Sequence, residues 1–220
     1  MGRAPRAITL AVVAALVLHL RAQYFGPPWQ VWVFKPLTTA LLILLAVILP
    51  GQTAPRYRRA ILAGLFCSLW GDVFLMLPSD RFVAGLASFL VAQLCYIRAF
   101  TIPAGFRRSI RIAAPFALYY VLLLALLWPH LGGLRMAVAV YGAVLATMGW
   151  QAAERWAATR TTPAGGAAAG AVLFLISDSV LAADRFVAPF RASRLVVMTT
   201  YIAAQWLIAC SVADRSDERR

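Results

Sequence analysis

From Ala60 to Leu77 the chain reads AILAGLFCSLWGDVFLML, and after the break PSDRF it resumes at Val83 as VAGLASFLVAQLCYIRAF, ending at Phe100. At about 1.5 Å of rise per residue, each run as a helix reaches across most of the ~30 Å hydrocarbon layer of a bilayer. Apolar side chains fall on every side of both runs. That rules out the single apolar stripe of a soluble surface helix and the strict alternation of a barrel strand. Pro78, Ser79, Asp80 and Arg81 supply the turn and the polar groups that stay in water. The stretch is a helical hairpin written for lipid, and one carboxylate, Asp72, is left inside it.

The same pattern extends in both directions. Further apolar runs lie at Ala7–Gln23, Val31–Leu49, Ile112–Trp128, Leu134–Ala153, Ala167–Ala183 and Leu195–Val212. Breaks fall at Gly26-Pro27-Pro28, Pro50-Gly51, Pro103 and Pro163-Ala164-Gly165-Gly166. The chain therefore predicts an all-α polytopic bundle of eight transmembrane helices, a single integral membrane domain over residues 1–220. Composition agrees. With 62% hydrophobic residues, 13% charged and a mean hydropathy of +0.78, a soluble domain could not bury its apolar surface.

The formal net charge of +13 does not imply a nucleic-acid partner, because the arginines stand in short groups between apolar runs. If loops alternate sides, fourteen of the arginines fall with the amino terminus, among them Arg56, Arg58, Arg59, Arg107, Arg108, Arg111, Arg215, Arg219 and Arg220. Six fall opposite: Arg21, Arg81, Arg135, Arg185, Arg191 and Arg194. Positive residues stay inside, so both termini are expected in the cytoplasm of a cell whose inner (cell) membrane, of the bacterial kind, holds the protein. Arg3 and Arg6 before the first run resemble the start of a signal peptide. No small-x-small cleavage site follows, and the first helix is expected to be retained. Cys67, Cys95 and Cys210 lie inside apolar runs without metal-ligand spacing and read as small buried side chains.

One echo runs through the chain. Asp80-Arg81-Phe82-Val83-Ala84 recurs as Asp184-Arg185-Phe186-Val187-Ala188. Upstream of each copy an aspartate sits in an apolar run, Asp72 and Asp178. Downstream, Ala92-Gln93-Leu94 is matched by Ala204-Gln205-Trp206. The units lie four helices apart and point the same way. A 4+4 parallel repeat, with halves 1–105 and 106–220, is expected, and a site near its interface.

Ionisable groups inside spans are expensive and point to function. Asp72 and Asp178 each stand about five residues before the end of their helix, and Lys35 about four residues into the second, so all three lie roughly 6–9 Å inside the same face. His19 and Tyr24 end the first helix at that face and are candidates for its rim. Gln93 and Gln205 fall deeper, where an interhelical hydrogen bond is the simpler role. Asp80 and Asp184 are expected to pair with the adjacent Arg81 and Arg185, and Glu154 to be solvated. Trp29, Trp32, Trp128, Trp150 and Trp156 read as an interfacial belt. A Lys35–carboxylate pair would also serve merely to hold helices together, in a structural subunit. A transporter of small solutes or lipids would use parallel repeats and intramembrane charges too. The depth of the carboxylates near one face, where a lipid headgroup lies, favours an enzyme over a site at mid-membrane.

These residues also carry a likeness. Tyr24 through Thr38, including Trp29, Lys35 and Pro36, resembles the opening signature of the YhhN-like lysoplasmalogenase family. So do Gly71-Asp72, Phe82 to Gly85, Ser88-Phe89, Tyr96 to Phe100, Ser177-Asp178 and Tyr201 to Gln205, in the family's order over nearly the whole chain. The resemblance implies a membrane hydrolase that cleaves the vinyl-ether bond of a lysophospholipid to a fatty aldehyde and a glycerophospho-alcohol, with no metal or cofactor. Taken with the shared depth of the charges, this gives Asp72 and Asp178 as the catalytic groups, with Lys35, Tyr24, His19, Gln93, Tyr96, Tyr201 and Gln205 around the substrate. Position 93 departs from the pattern, being Gln where many members carry His, which weakens any scheme needing a proton carrier there. The chemistry suits the residues independently: a vinyl ether is cleaved by protonating carbon, and two carboxyls in unlike surroundings divide into acid and base. No Ser-His-Asp set or phosphate-cradling glycine loop is visible in the sequence.

The arginine asymmetry has a direct test. Reporter fusions at either terminus should read as cytoplasmic, and a cysteine placed in the Pro78–Phe82 loop should label from outside; a carboxyl-terminal fusion reporting the outer face would overturn both the orientation and the helix count.

Overall fold

The computed structural model describes residues 2–51, 54–102 and 105–213; the break at Pro103 and the positions Arg215, Arg219 and Arg220 lie outside them. The described chain folds into α1 (Arg3–Phe25), α2 (Trp29–Ile48), α3 (Pro55–Met76), α4 (Phe82–Phe100), α5 (Ile110–Leu127), α6 (Arg135–Thr159), α7 (Thr162–Phe186) and α8 (Ser193–Cys210). Single 3-10 turns follow at Trp128–His130, Gly132–Leu134 and Ser211–Ala213. All eight helices are long and apolar enough to cross a membrane, and no strand occurs among the described residues. The protein is an all-α integral membrane bundle.

The helices overrun the apolar stretches because interfacial residues go on hydrogen-bonding along the helix axis. Pro163 to Gly166 therefore open α7 instead of separating it from α6. Proline at the start of a helix loses no bond, since its missing N–H would be unpaired there in any case. The real break is Arg160, at φ 53, followed by Thr161, whose hydroxyl accepts the Ala164 N–H as an N-cap.

Helix α3 packs along α4, and α7 along α8; α4 then packs on α6 as α8 packs on α2. Small residues permit the closest approaches. Gly64 of α3 lies under the Tyr96 ring, and a Cβ built on Gly170 of α7 would stand 2.8 Å from the Ala204 carbonyl oxygen of α8. Helix α5 lies outermost, with only Leu127 buried, and leans on α6. Its Leu118, Val121 and Leu122 are exposed, as are Leu10, Val13 and Val17 of α1. These are the faces that lipid covers. Trp29, Trp32, Trp128 and Trp156 are also exposed, near helix ends.

Two sequence expectations about charges change. Asp80 does not pair with Arg81, which donates to Ser79 instead. It accepts from Arg185, in the other copy of the repeated pentapeptide, at 2.8 Å. Arg185 and the Phe82 amide hold the exposed Asp80 carboxyl below the usual carboxylate range. Asp184 accepts from the Phe190 N–H. Between the copies, Phe82 meets Phe186 edge-on at 5.7 Å, and the Arg185 guanidinium lies 4.0 Å over the Phe82 ring. Glu154 is not solvated but only 3% exposed. It accepts the Ser109 N–H at 2.8 Å and the Trp150 indole N–H at 3.0 Å. Gln151, one turn away, donates to the Arg107 carbonyl and accepts from its N–H. Together they clamp the strand of chain that leads into α5.

Replacing Gly170 with Val should push α7 from α8, because a backbone carbonyl cannot give way as a flexible side chain can. A loss of about 1–3 kcal/mol is expected, read as a lower unfolding midpoint in detergent, whereas Gly133→Ala, in open space, should leave the midpoint unmoved.

Candidate active site

At the end of the bundle that carries the α1–α2, α3–α4 and α7–α8 connections, polar groups gather from α2, α3 and α8. Pro36, inside α2, removes the backbone bond to the Trp32 carbonyl. Lys35 and Thr39, one turn apart on α2, share a face directed at α3. The Lys35 Nζ lies 3.5 Å from the Asp72 Oδ1, in a pair with side-chain exposures of 13% and 3%. The other carboxylate oxygen, Oδ2, accepts from the Thr39 hydroxyl at 2.8 Å and the Tyr201 hydroxyl at 2.9 Å. A cation and two hydroxyl donors converge on one buried carboxyl. That is the arrangement that stabilises an anion.

The polar chain continues inward from Tyr201. The Tyr201 hydroxyl accepts from the Gln205 amide nitrogen at 3.2 Å, and the Gln205 carbonyl accepts from the Tyr96 hydroxyl at 2.7 Å. The Tyr201 ring is held edge-on by Phe89 at 5.8 Å and Phe174 at 5.5 Å. Lys35, Asp72, Tyr201, Gln205 and Tyr96 thus form one network from four helices. Gln205 makes the interhelical bond expected of it. Gln93 is fully buried, with Tyr141 of α6 beside it.

Asp178 stands apart in its surroundings. It is half-buried on α7, and the Tyr141 hydroxyl of α6 donates to its Oδ2. No cation pairs with it among the described residues. It lines a small apolar pocket of about 70 Å³ with Leu86, Phe89, Leu127, Val138 and Leu145. Lys35 lines a larger cavity of about 860 Å³, together with Tyr24, Trp32, Asp184, Arg185 and Arg194. Leu75, Phe82 and Leu181 belong to the walls of both, so the two spaces adjoin. The Asp72 charge is close enough to act on Asp178.

The remaining candidates divide. Tyr24 is on the rim of the larger cavity, where its hydroxyl donates to the Arg191 carbonyl at 2.8 Å and ties α1 to the segment before α8. His19 is 1% exposed inside α1, with no hydrogen bond at either ring nitrogen among the described residues, and lies close enough to Lys35 to feel its charge. It is buried in the bundle and lines neither cavity. Thr39 and Tyr141 escaped the sequence reading. Thr39 follows Lys35 by four residues, the spacing that puts two side chains on one helix face. Tyr141 is on α6, in an apolar run where nothing local marks it as a partner of Asp178. No group of three or more metal-ligating side chains occurs among the described residues.

The sequence matches the YhhN family over residues 30–212. The uncharacterized membrane protein YhhN of Escherichia coli O157:H7 is 35% identical over 207 residues, covering 92% of this chain and 97% of its own. Lysoplasmalogenase TMEM86B of Sus scrofa is 37% identical over 193 residues, 85% of this chain and 77% of its own. Lysoplasmalogenase TMEM86A of Homo sapiens is 35% identical over 201 residues, 86% and 80% respectively. No solved structure matches the chain.

Breaking a buried ion pair from one side leaves the other charge without an answer, at about 3–5 kcal/mol. Lys35→Met alone should therefore destabilise the protein in detergent more than Lys35→Met combined with Asp72→Asn. Equal unfolding midpoints for the single and the double variant would mean that the pair carries no coupling.

Proposed function

Since the chain belongs to the YhhN family, we propose that it hydrolyses the vinyl-ether bond of lysoplasmalogen-type lysophospholipids, releasing a fatty aldehyde and a glycerophospho-alcohol. One observation carries the reading beyond kinship: Asp72 is paired with Lys35, which lines the polar cavity, while Asp178 lines the adjoining apolar pocket. A lysophospholipid has the same division, with its ether bond between the headgroup and the chain.

The surroundings assign the roles. Asp72, beside Lys35 and under two hydroxyl donors, serves as the carboxylate. Asp178, with a phenol and apolar walls and no paired cation, serves as the acid. Asp178 gives its proton to the ether's β-carbon; the double-bond electrons form the new C–H bond and leave an oxocarbenium ion at the neighbouring carbon. Water adds to that carbon and loses a proton to Asp72. The resulting hemiacetal then collapses. Its C–O bond to the glycerol breaks, Asp72 returns the proton to the departing oxygen, and the hemiacetal hydroxyl proton restores Asp178. One water is consumed, and both carboxyls end as they began. General acid–base help of this kind is worth roughly 10²–10⁴-fold in rate.

The proposal is tested with purified protein and a synthetic vinyl-ether lysophospholipid, measuring free aldehyde. Asp72→Asn and Asp178→Asn should each lower turnover by about 10²-fold or more, and the double variant should be little worse than the poorer single, because the groups act as a unit. Thermal unfolding in the same detergent shows that the variants are folded. Near-normal cleavage by both singles would make the aspartates structural. A wild type that releases no aldehyde but moves a solute across vesicles would instead be a transporter.

A further inference from the structure

The larger cavity is lined by three cations, and two of them are occupied. Lys35 is 3.5 Å from Asp72. Arg185 donates to Asp80 at 2.8 Å while its guanidinium lies on the Phe82 ring. Arg194, in the first turn of α8, lines the same space, is exposed, and has no acidic or hydrogen-bonding partner among the described residues. The space is of the size that small-molecule sites take, and its mouth is partly aromatic, with Tyr24 and Trp32. An uncommitted guanidinium at a cavity mouth is suited to a bidentate anion such as a phosphate diester. Asp184, half-buried on the same lining, bonds to the Phe190 N–H through one oxygen and presents a negative group nearby. A headgroup carrying a phosphate followed by an ammonium would answer both side chains. A neutral glycerol would answer neither.

We propose that Arg194 is the residue that recognises the headgroup phosphate of a lysophospholipid seated in this cavity, which frees Lys35 to serve Asp72 alone. The inference rests on the hydrolase reading for its substrate, but it is separable from catalysis because binding can be read with a lipid that does not react. A lysophosphoethanolamine with a saturated alkyl ether keeps the headgroup and chain, and it has no double bond to protonate. The matching alkylglycerol lacks only the headgroup.

The experiment compares the thermal stabilisation of the whole protein in detergent by these two ethers, for the wild type, Arg194→Gln and Arg194→Lys. Because Arg194 is exposed, the unliganded midpoints should coincide. The phospholipid analogue should stabilise the wild type and the alkylglycerol should not. Arg194→Gln should weaken phospholipid binding by about tenfold or more, the scale of one charge-assisted hydrogen-bonded contact, and Arg194→Lys should recover part of it. On the cleavable vinyl ether the loss should fall on KM and not on kcat. Equal stabilisation of the wild type by both ethers, or unchanged phospholipid binding by Arg194→Gln, would overturn the assignment. If Arg194-dependent binding is found in a wild type that cleaves no vinyl ether, the headgroup site stands and the hydrolase reading falls.

Discussion

Asp72, only 2% exposed, has no water to answer a charge and must find partners within the bundle, the first of them Lys35 at the wall of the larger cavity. Much of the architecture at that end of the protein follows from this requirement. The pair joins α2 to α3. Its remaining oxygen draws in Thr39 from α2 and Tyr201 from α8. Tyr201 in turn must be held with its hydroxyl at the carboxylate, and the edge-on rings of Phe89 and Phe174 do that. The small residues of α3 and α7 let α4 and α8 come close enough for the rings to meet. Around Asp72 each carboxylate oxygen has a partner, which holds the side chain in one place.

A paired cation at Asp72 and none at Asp178 among the described residues is the asymmetry on which the proposed chemistry depends. The two aspartates occupy matching places in the repeated sequence, and a strict repeat would give them matching surroundings. Helix α2 brings a lysine and a threonine to one; α6 brings a tyrosine to the other. The two aspartates thus meet unlike surroundings although the sequence around them echoes. Substrate geometry follows the same division, since the cavity of about 860 Å³ is rich in charged side chains and the adjoining pocket of about 70 Å³ is almost wholly apolar.

Much of this was legible in the chain before any coordinates. Eight spans could be read because lipid-facing helices are apolar on all sides, and no soluble element imitates that. Asp72, Asp178 and Lys35 stood out for the same reason, as charges in runs that should have none. Gln205 stood out in the sequence echo and Tyr96 and Tyr201 entered through the resemblance; the structure joins them into one network. What failed was adjacency. Asp80 with Arg81 looked like a pair because the residues are neighbours in sequence, and Glu154 was expected to be solvated because it stands beside Arg155 at a helix end. Glu154 and Arg155 are neighbours on a helix, so they point about 100° apart and do not face each other, while Asp80 and Arg81 lie in the turn before α4. The actual partners, Arg185 for Asp80 and the Ser109 amide for Glu154, come from helix contacts that no local pattern records. Gln93 and His19 were expected around the substrate; both are buried in the bundle and line neither of the two cavities.

The central claim is that a carboxyl of the bundle protonates carbon, and one isotope measurement addresses it most directly. Cleavage of a vinyl-ether lysophospholipid is carried out in D₂O, the aldehyde is trapped by reduction as it forms, and its deuterium is located by mass spectrometry. Protonation of the β-carbon by an exchanged carboxyl places one deuterium on the carbon next to the carbonyl, and Asp178→Asn should suppress that product along with the rate. An aldehyde released without deuterium at that carbon, or released at the wild-type rate by Asp178→Asn, would contradict the account.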